Sequence, residues 1–160
     1  MSDKRIEDVI SSVLTGDTQK NALEFIAHIR AIGDAENFSI TAHDESGFVI
    51  SNMGYMMVNG SDDFPGPWTI WVEANNLGEH SKTPADENIK EFAWSHVSPC
   101  GSCGGKCSPG TSTKIFGKVF ENVCQNYLMF TNPNTDAVDY MKKIADIRKN
   151  DIVMGKGGLT

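Results

Sequence analysis

Three of the four cysteines in this 160-residue chain fall in the run Cys100-Gly101-Ser102-Cys103-Gly104-Gly105-Lys106-Cys107, and the fourth, Cys124, follows 17 residues later. The stretch from Ser98 to Thr113 that carries them is mostly Gly, Ser, Thr, Pro and Lys. Such a composition buries almost no apolar surface, so it takes a fixed shape only if something else ties it down. A chain of this length buries roughly 70% of its unfolded surface and needs no covalent staple to fold. Its start, Met1-Ser2-Asp3-Lys4-Arg5-Ile6, lacks the apolar stretch and small-residue cleavage site of a secretory signal, so a cytoplasmic location is the expectation. Thiols stay reduced there, and four of them read as metal ligands or redox groups before they read as two disulfides.

Zinc takes four ligands in a tetrahedron, and a tight C-x₂-C turn places two sulfurs on one side of the ion. Glycines beside the cysteines allow positive φ, which lets backbone N–H groups turn toward the thiolates and share their charge. The reading is a four-cysteine zinc knuckle held by Cys100, Cys103, Cys107 and Cys124. A turn at Pro109-Gly110 and a strand after it would return Cys124 to the other three. An iron–sulfur cluster on the same thiols is the alternative cofactor, although C-x₂-C-x₃-C departs from ferredoxin spacings. A redox C-x-x-C sits at a helix start after a strand, whereas Cys100 and Cys103 follow a helix and Pro99. His96 is the one substitute ligand, completing a set of three cysteines and one histidine if Cys124 belongs to the core. A histidine at a helix end also has the plainer task of satisfying terminal carbonyls. His28, His43 and His80 read as structural or solvated.

The rest of the chain alternates between two hydrophobic periods. Ile6, Val9, Ile10, Val13 and Leu14 share one helical face, and Ala22, Phe25, Ile26, Ile29 and Ile32 share another. Between them Thr15-Gly16-Asp17 ends the first helix and caps the second, with Gly16 suited to a left-handed stop. Phe38–Ala42 and Phe48–Ser51 flank a turn-rich tetrad and read as a hairpin, and Tyr55–Val58 runs into the turn signal Asn59-Gly60. Trp68 to Glu73 alternates, with Trp68, Ile70 and Val72 on one face and Trp71 on the other. Thr83-Pro84 reads as the start of a third helix carrying Ile89, Phe92, Ala93 and Val97. Strands are expected over Thr113–Phe120 and Tyr127–Phe130, then a last helix with Val138, Met141, Ile144, Ala145 and Ile147 or Arg148. This pattern predicts an α+β fold. Two N-terminal helices lie on a small, mainly antiparallel sheet, the zinc knuckle follows the third helix, and a C-terminal helix closes the domain. One domain over residues 1–153 is expected, with the zinc segment at 99–124 and a flexible tail at 154–160.

The segments Pro67-Trp68-Thr69-Ile70-Trp71, Phe92-Ala93-Trp94, the cysteines, Phe116-Gly117-Lys118-Val119-Phe120-Glu121-Asn122-Val123-Cys124 and Phe130-Thr131-Asn132-Pro133 are distinctive as text. Across residues 67–149, about half the chain, they resemble an uncharacterised family of small four-cysteine proteins from anaerobic bacteria. The resemblance implies a four-cysteine unit and carries no activity with it.

Charge narrows the partners. The net charge is −7, and residues 1–96 carry 6 Lys+Arg against 16 Asp+Glu, a net of −10. Residues 97–160 carry 8 against 5, a net of +3. Neither nucleic acid nor an anionic membrane is expected as a partner, which leaves a small molecule or another protein. Lys106, Lys114 and Lys118 read as cations offsetting the −2 charge of a four-thiolate zinc. Trp68, Trp71 and Trp94 can line a pocket, but aromatics dominate ordinary cores, which places Trp68 and Trp94 inside and Trp71 partly outside. Met53, Met56 and Met57 beside Tyr55 read as core filling before an adaptable binding surface. Asn59, Asp62 and Asp63 do not fit an EF-hand loop. The chain has no phosphate-binding glycine loop, no G-x-S-x-G elbow and no HExxH helix. Glu45, Glu73 and Glu79 are left as undifferentiated candidates for a general base. The expectation is a non-enzymatic zinc-binding or interaction module, with an iron–sulfur or thiol-based redox protein or sensor as the alternative.

Overall fold

The computed structural model describes residues 5–33, 38–43, 47–58, 67–74, 76–79, 86–99 and 111–157. In chain order the elements are α1 (Ile6–Val13), α2 (Gly16–Ile32), β1 (Ile40–Ala42), β2 (Gly47–Ile50), β3 (Gly54–Val58), β4 (Trp68–Glu73), α3 (Glu87–Trp94), β5 (Val97–Pro99), β6 (Thr111–Ile115), β7 (Lys118–Thr131) and α4 (Thr135–Gly157). The class is α+β, as the pattern predicts. Strands hydrogen-bond in the order β1-β2-β3-β4-β7-β5, with β6 also paired to β7. The pairs β1–β2, β2–β3, β5–β7 and β6–β7 are antiparallel. Among the described residues no helix is long and apolar enough to cross a membrane. The chain resolves into two compact units, Met1–Trp71 with Phe130–Lys142, and Val72–Met129 with Lys143–Thr160.

In the first unit, α1 buries Ile6, Val9 and Ile10. The expected fourth member of that face, Val13, is 41% exposed, and Leu14 is buried instead. Leu14 has left the helix for an extended conformation, and that turn swings its side chain inward and leaves Val13 outside. Gly16 does adopt φ +60°, but α2 starts at once, with Thr15 at its N-cap position. The carbonyls at the end of α1 are satisfied from α2, where Gln19 Nε2 donates to Leu14 O at 2.8 Å and to Ser11 O at 3.1 Å. Arg30 on α2 also hydrogen-bonds the Glu7 carboxylate on α1.

Helix α2 buries Ala22, Phe25, Ile26 and Ile29, and the Phe25 ring lies 6.3 Å from Trp68 on β4. Burying a side chain of that size contributes about 1.5–3 kcal/mol, so this contact is a main fastening of helix to sheet. The alternation of β2 is visible in its burial, with Phe48 and Ile50 inside and Val49 41% exposed. Met53 and Met56 are fully buried, as core filling requires. Helix α4 opens on a cap in which Ala137 N–H donates to Asn134 Oδ1 at 2.8 Å.

In the second unit, α3 is capped by Asp86, whose Oδ1 accepts from Ile89 N–H at 2.9 Å. The expected start at Thr83-Pro84 lies outside the described residues, and a carboxylate three residues before a free N–H is the stronger local cap. Val97, expected on this helix, is the first residue of β5. The expected strand from Thr113 to Phe120 is broken by a two-residue turn, with Phe116 at φ 48° and Gly117 at φ 82°. Two successive positive φ values are the mark of a tight hairpin whose twist matches its strands. The strand expected over Tyr127–Phe130 is part of the single long β7. Helix α4 runs on to Gly157, so the backbone of residues 154–157 is helical where a flexible tail is expected. Ile144, Ala145 and Ile147 are buried along it, and so is Asp151.

Candidate metal centre

The residues that flank the cysteines converge on one position of β7. Pro99, at the end of β5, pairs with Val123. Thr111, at the start of β6, pairs with Val123 as well. A strand residue offers two edges, so β5 and β6 lie on opposite sides of β7 there. With strands about 4.8 Å apart, Pro99 and Thr111 are about 10 Å apart. The chain that joins them has a reach of roughly 40 Å. It therefore has ample slack to fold back on itself. Cys100 follows the first anchor directly, and Cys124 follows Val123 itself.

The pairing is irregular at this same point. On the β5 side the register moves from Val97↔Leu128 to Pro99↔Val123. Two residue steps of β5 thus face five of β7, so about 16 Å of extended chain covers about 7 Å. The surplus sits in residues 124–127, beginning at Cys124. On the β6 side a second irregularity separates Thr111↔Val123 from Thr113↔Phe120. Bulges of this kind end regular pairing and redirect the chain. Val123 itself is buried, which anchors the junction.

No family model, curated protein or solved structure matches this chain.

The site therefore has to be read from its own chemistry. Cys100, Cys103 and Cys107 lie outside the described residues, and of Cys124 only the backbone is described. Among the described residues no group of three or more His, Cys, Asp or Glu is placed to hold a metal ion. His96, the alternative ligand, has Nδ1 at 2.7 Å from Phe92 O, and its ring centroid is 4.5 Å from that of Phe92. A carbonyl only accepts, so Nδ1 is the protonated nitrogen; it satisfies a carbonyl in the last turn of α3 and leaves Nε2 as the ring's one nitrogen with a lone pair for a metal. The backbone of His96 is fixed as well, its carbonyl accepting from Met129 N–H at 2.9 Å.

Other sequence candidates are dispersed. Trp68 is fully buried, and Trp71 is half-buried with its ring 5.9 Å from Tyr55. Trp94, expected inside, is half-buried, and its Nε1–H donates to the Ile115 carbonyl at 2.8 Å. Lys118, expected to offset thiolate charge, is held over the Trp94 and Phe120 rings. Glu79 is exposed and Glu73 pairs with Arg148 at 3.4 Å, so neither is a buried base. Glu45, Asn59, Asp62, Asp63 and His80 lie outside the described residues. His28 is half-buried within α2, and the exposed His43 packs edge-on against Tyr55 at 5.9 Å.

One buried acid escapes the sequence reading. Asp151 accepts the Gly78 N–H at 2.6 Å and so ties the turn at residues 76–79 to α4. Its signal is present in the sequence, since it continues the helical spacing of Ile144 and Ile147, but a carboxylate is not expected on an apolar stripe.

Proposed function

We propose that this chain is a zinc-binding module of the reducing cytoplasm, in which Cys100, Cys103, Cys107 and Cys124 hold one structural Zn²⁺. The observation that supports this most is the double pairing of Val123, which anchors both ends of the cysteine-bearing segment beside Cys124. The centre would clasp β5 and β6 across β7 and so tie down a segment whose composition cannot pack. Four protein ligands leave no open coordination position for water or substrate, which favours a binding or interaction role over catalysis.

Elemental analysis and a visible spectrum of the purified protein test this reading. One zinc per chain with no visible absorbance is the expected result. Iron with a bleachable visible band would replace the reading with an iron–sulfur protein. A chain without metal that stays ordered after zinc is offered would leave the cysteines as redox thiols.

A further inference from the structure

Trp94, Lys118 and Phe120 form a cluster in the second unit. Trp94 closes α3, and its indole N–H donates to the Ile115 carbonyl at 2.8 Å. Ile115 is in turn the cross-strand partner of Lys118, so the indole is pinned to the neck of the β6–β7 hairpin. Lys118 and Phe120 are two residues apart on β7 and share a face. Phe120 is held in the ladder opposite Thr113. The Lys118 ammonium lies 5.0 Å from the centroid of the Trp94 ring and 5.2 Å from that of Phe120. Both distances are inside the ~6 Å over which an aromatic face attracts a cation.

We propose that Trp94 and Phe120 are the two walls of a binding site for a methylated ammonium group, with the ammonium of Lys118 as its resident occupant. A primary ammonium is strongly hydrated, and Lys118 must give up side-chain freedom to stay between the rings, so it is held weakly. A methylated ammonium spreads the same charge over a larger, less hydrated surface and buries its methyls on the same aromatic faces. It needs no hydrogen-bond acceptor, and the indole, already fixed by its bond to Ile115, loses little freedom on binding it. A free methylated ammonium ion and a trimethyllysine side chain share this chemistry.

The test titrates the full-length, metal-loaded protein at constant ionic strength, following the Trp94 indole ¹H–¹⁵N resonance. The ligands are tetramethylammonium, its neutral isostere 3,3-dimethylbutan-1-ol, and a trimethyllysine peptide beside its unmethylated form. Saturable shifts are expected with tetramethylammonium and not with the alcohol. Lys118→Ala removes the competitor and should tighten binding about fivefold, and Phe120→Leu should weaken it at least about fivefold. Lys118 is exposed, so its removal leaves the fold in place, and an unchanged circular dichroism spectrum and Tm check that for both variants. A peptide that binds more tightly than tetramethylammonium assigns the site to methylated lysine, and equal binding assigns it to the free ion. The proposal is overturned by no saturable shift in Lys118→Ala, by an equal response to the alcohol, or by Phe120→Leu binding as well as the parent.

Discussion

Gly78 and Gly117 make an unusually clean pair for mutation. Their φ values are +86° and +82°, so replacing either by alanine carries the same backbone cost, about 1–2 kcal/mol. What differs is the space. A Cβ on Gly117 meets nothing within 4 Å, whereas one on Gly78 would lie 2.6 Å from Phe116 Cδ1 and 3.0 Å from Cε1. The two backbones cannot easily separate, because the Phe116 N–H is bonded to Leu77 O at 2.9 Å and the Gly78 N–H to buried Asp151 at 2.6 Å, so the half-buried ring itself must turn aside. Overpacking of this kind adds about 1–3 kcal/mol. Gly117→Ala should therefore cost about 1–2 kcal/mol and Gly78→Ala about 2–5 kcal/mol. For a chain of this size each kcal/mol lowers Tm by about 2–4 °C, readable by circular dichroism with urea midpoints as a check. The excess should vanish in a Phe116→Gly background, since neighbouring substitutions couple when they share a contact. If Gly78→Ala and Gly117→Ala cost the same, the Phe116 ring does not rest on the Gly78 backbone, and the account of this hairpin fails.

The remaining predictions concern the metal and the helical end of the first unit. Cys124→Ser should lose tightly bound zinc while His96→Ala keeps one zinc per chain, measured by elemental analysis after dialysis; retention by Cys124→Ser would remove Cys124 from the ligand set. Chelation should speed amide exchange in β6 and around Val123 while α1 and α2 stay protected, and one cooperative loss of every helix would show that the metal supports the whole core. Glu7 is held below the usual carboxylate range, chiefly by its hydrogen bonds from Arg30. Its contribution is thus present above the unfolded value near 4.5 and lost as pH falls through the lower folded value. Arg30→Met should cost no more than about 1 kcal/mol at neutral pH and nothing at acid pH, by urea unfolding; a cost that persists in acid would mean that packing, not charge, is lost.

Local pattern carries the sequence reading a long way, and long-range pairing marks where it stops. The apolar stripes of α1 and α2 and the alternation of β2 follow from period alone, so their buried faces are legible, whereas β4 buries Thr69 as well as Trp68, Ile70 and Val72. Period misplaces Val13 because the turn at Leu14 lies at a helix end, where periodicity no longer holds. The hairpin at Phe116-Gly117 reads as a continuous strand because phenylalanine seldom takes positive φ; the residues that hold it there, Leu77 and Gly78, are remote in sequence. Asp86 and Thr83-Pro84 both carry helix-start signals, and only the bond from the Ile89 N–H separates them. For the candidate centre, the cysteines supply ligand type and spacing. That Pro99 and Thr111 meet the same residue of β7 is a matter of register between distant strands, which no local signal encodes.

The most direct measurement of the central claim is X-ray absorption at the zinc edge of the metal-loaded protein. A centre of four cysteines predicts four sulfur scatterers at about 2.3 Å and no light-atom shell. A nitrogen shell at about 2.0–2.1 Å in place of one sulfur would put a histidine in the ligand set and contradict the assignment of Cys124.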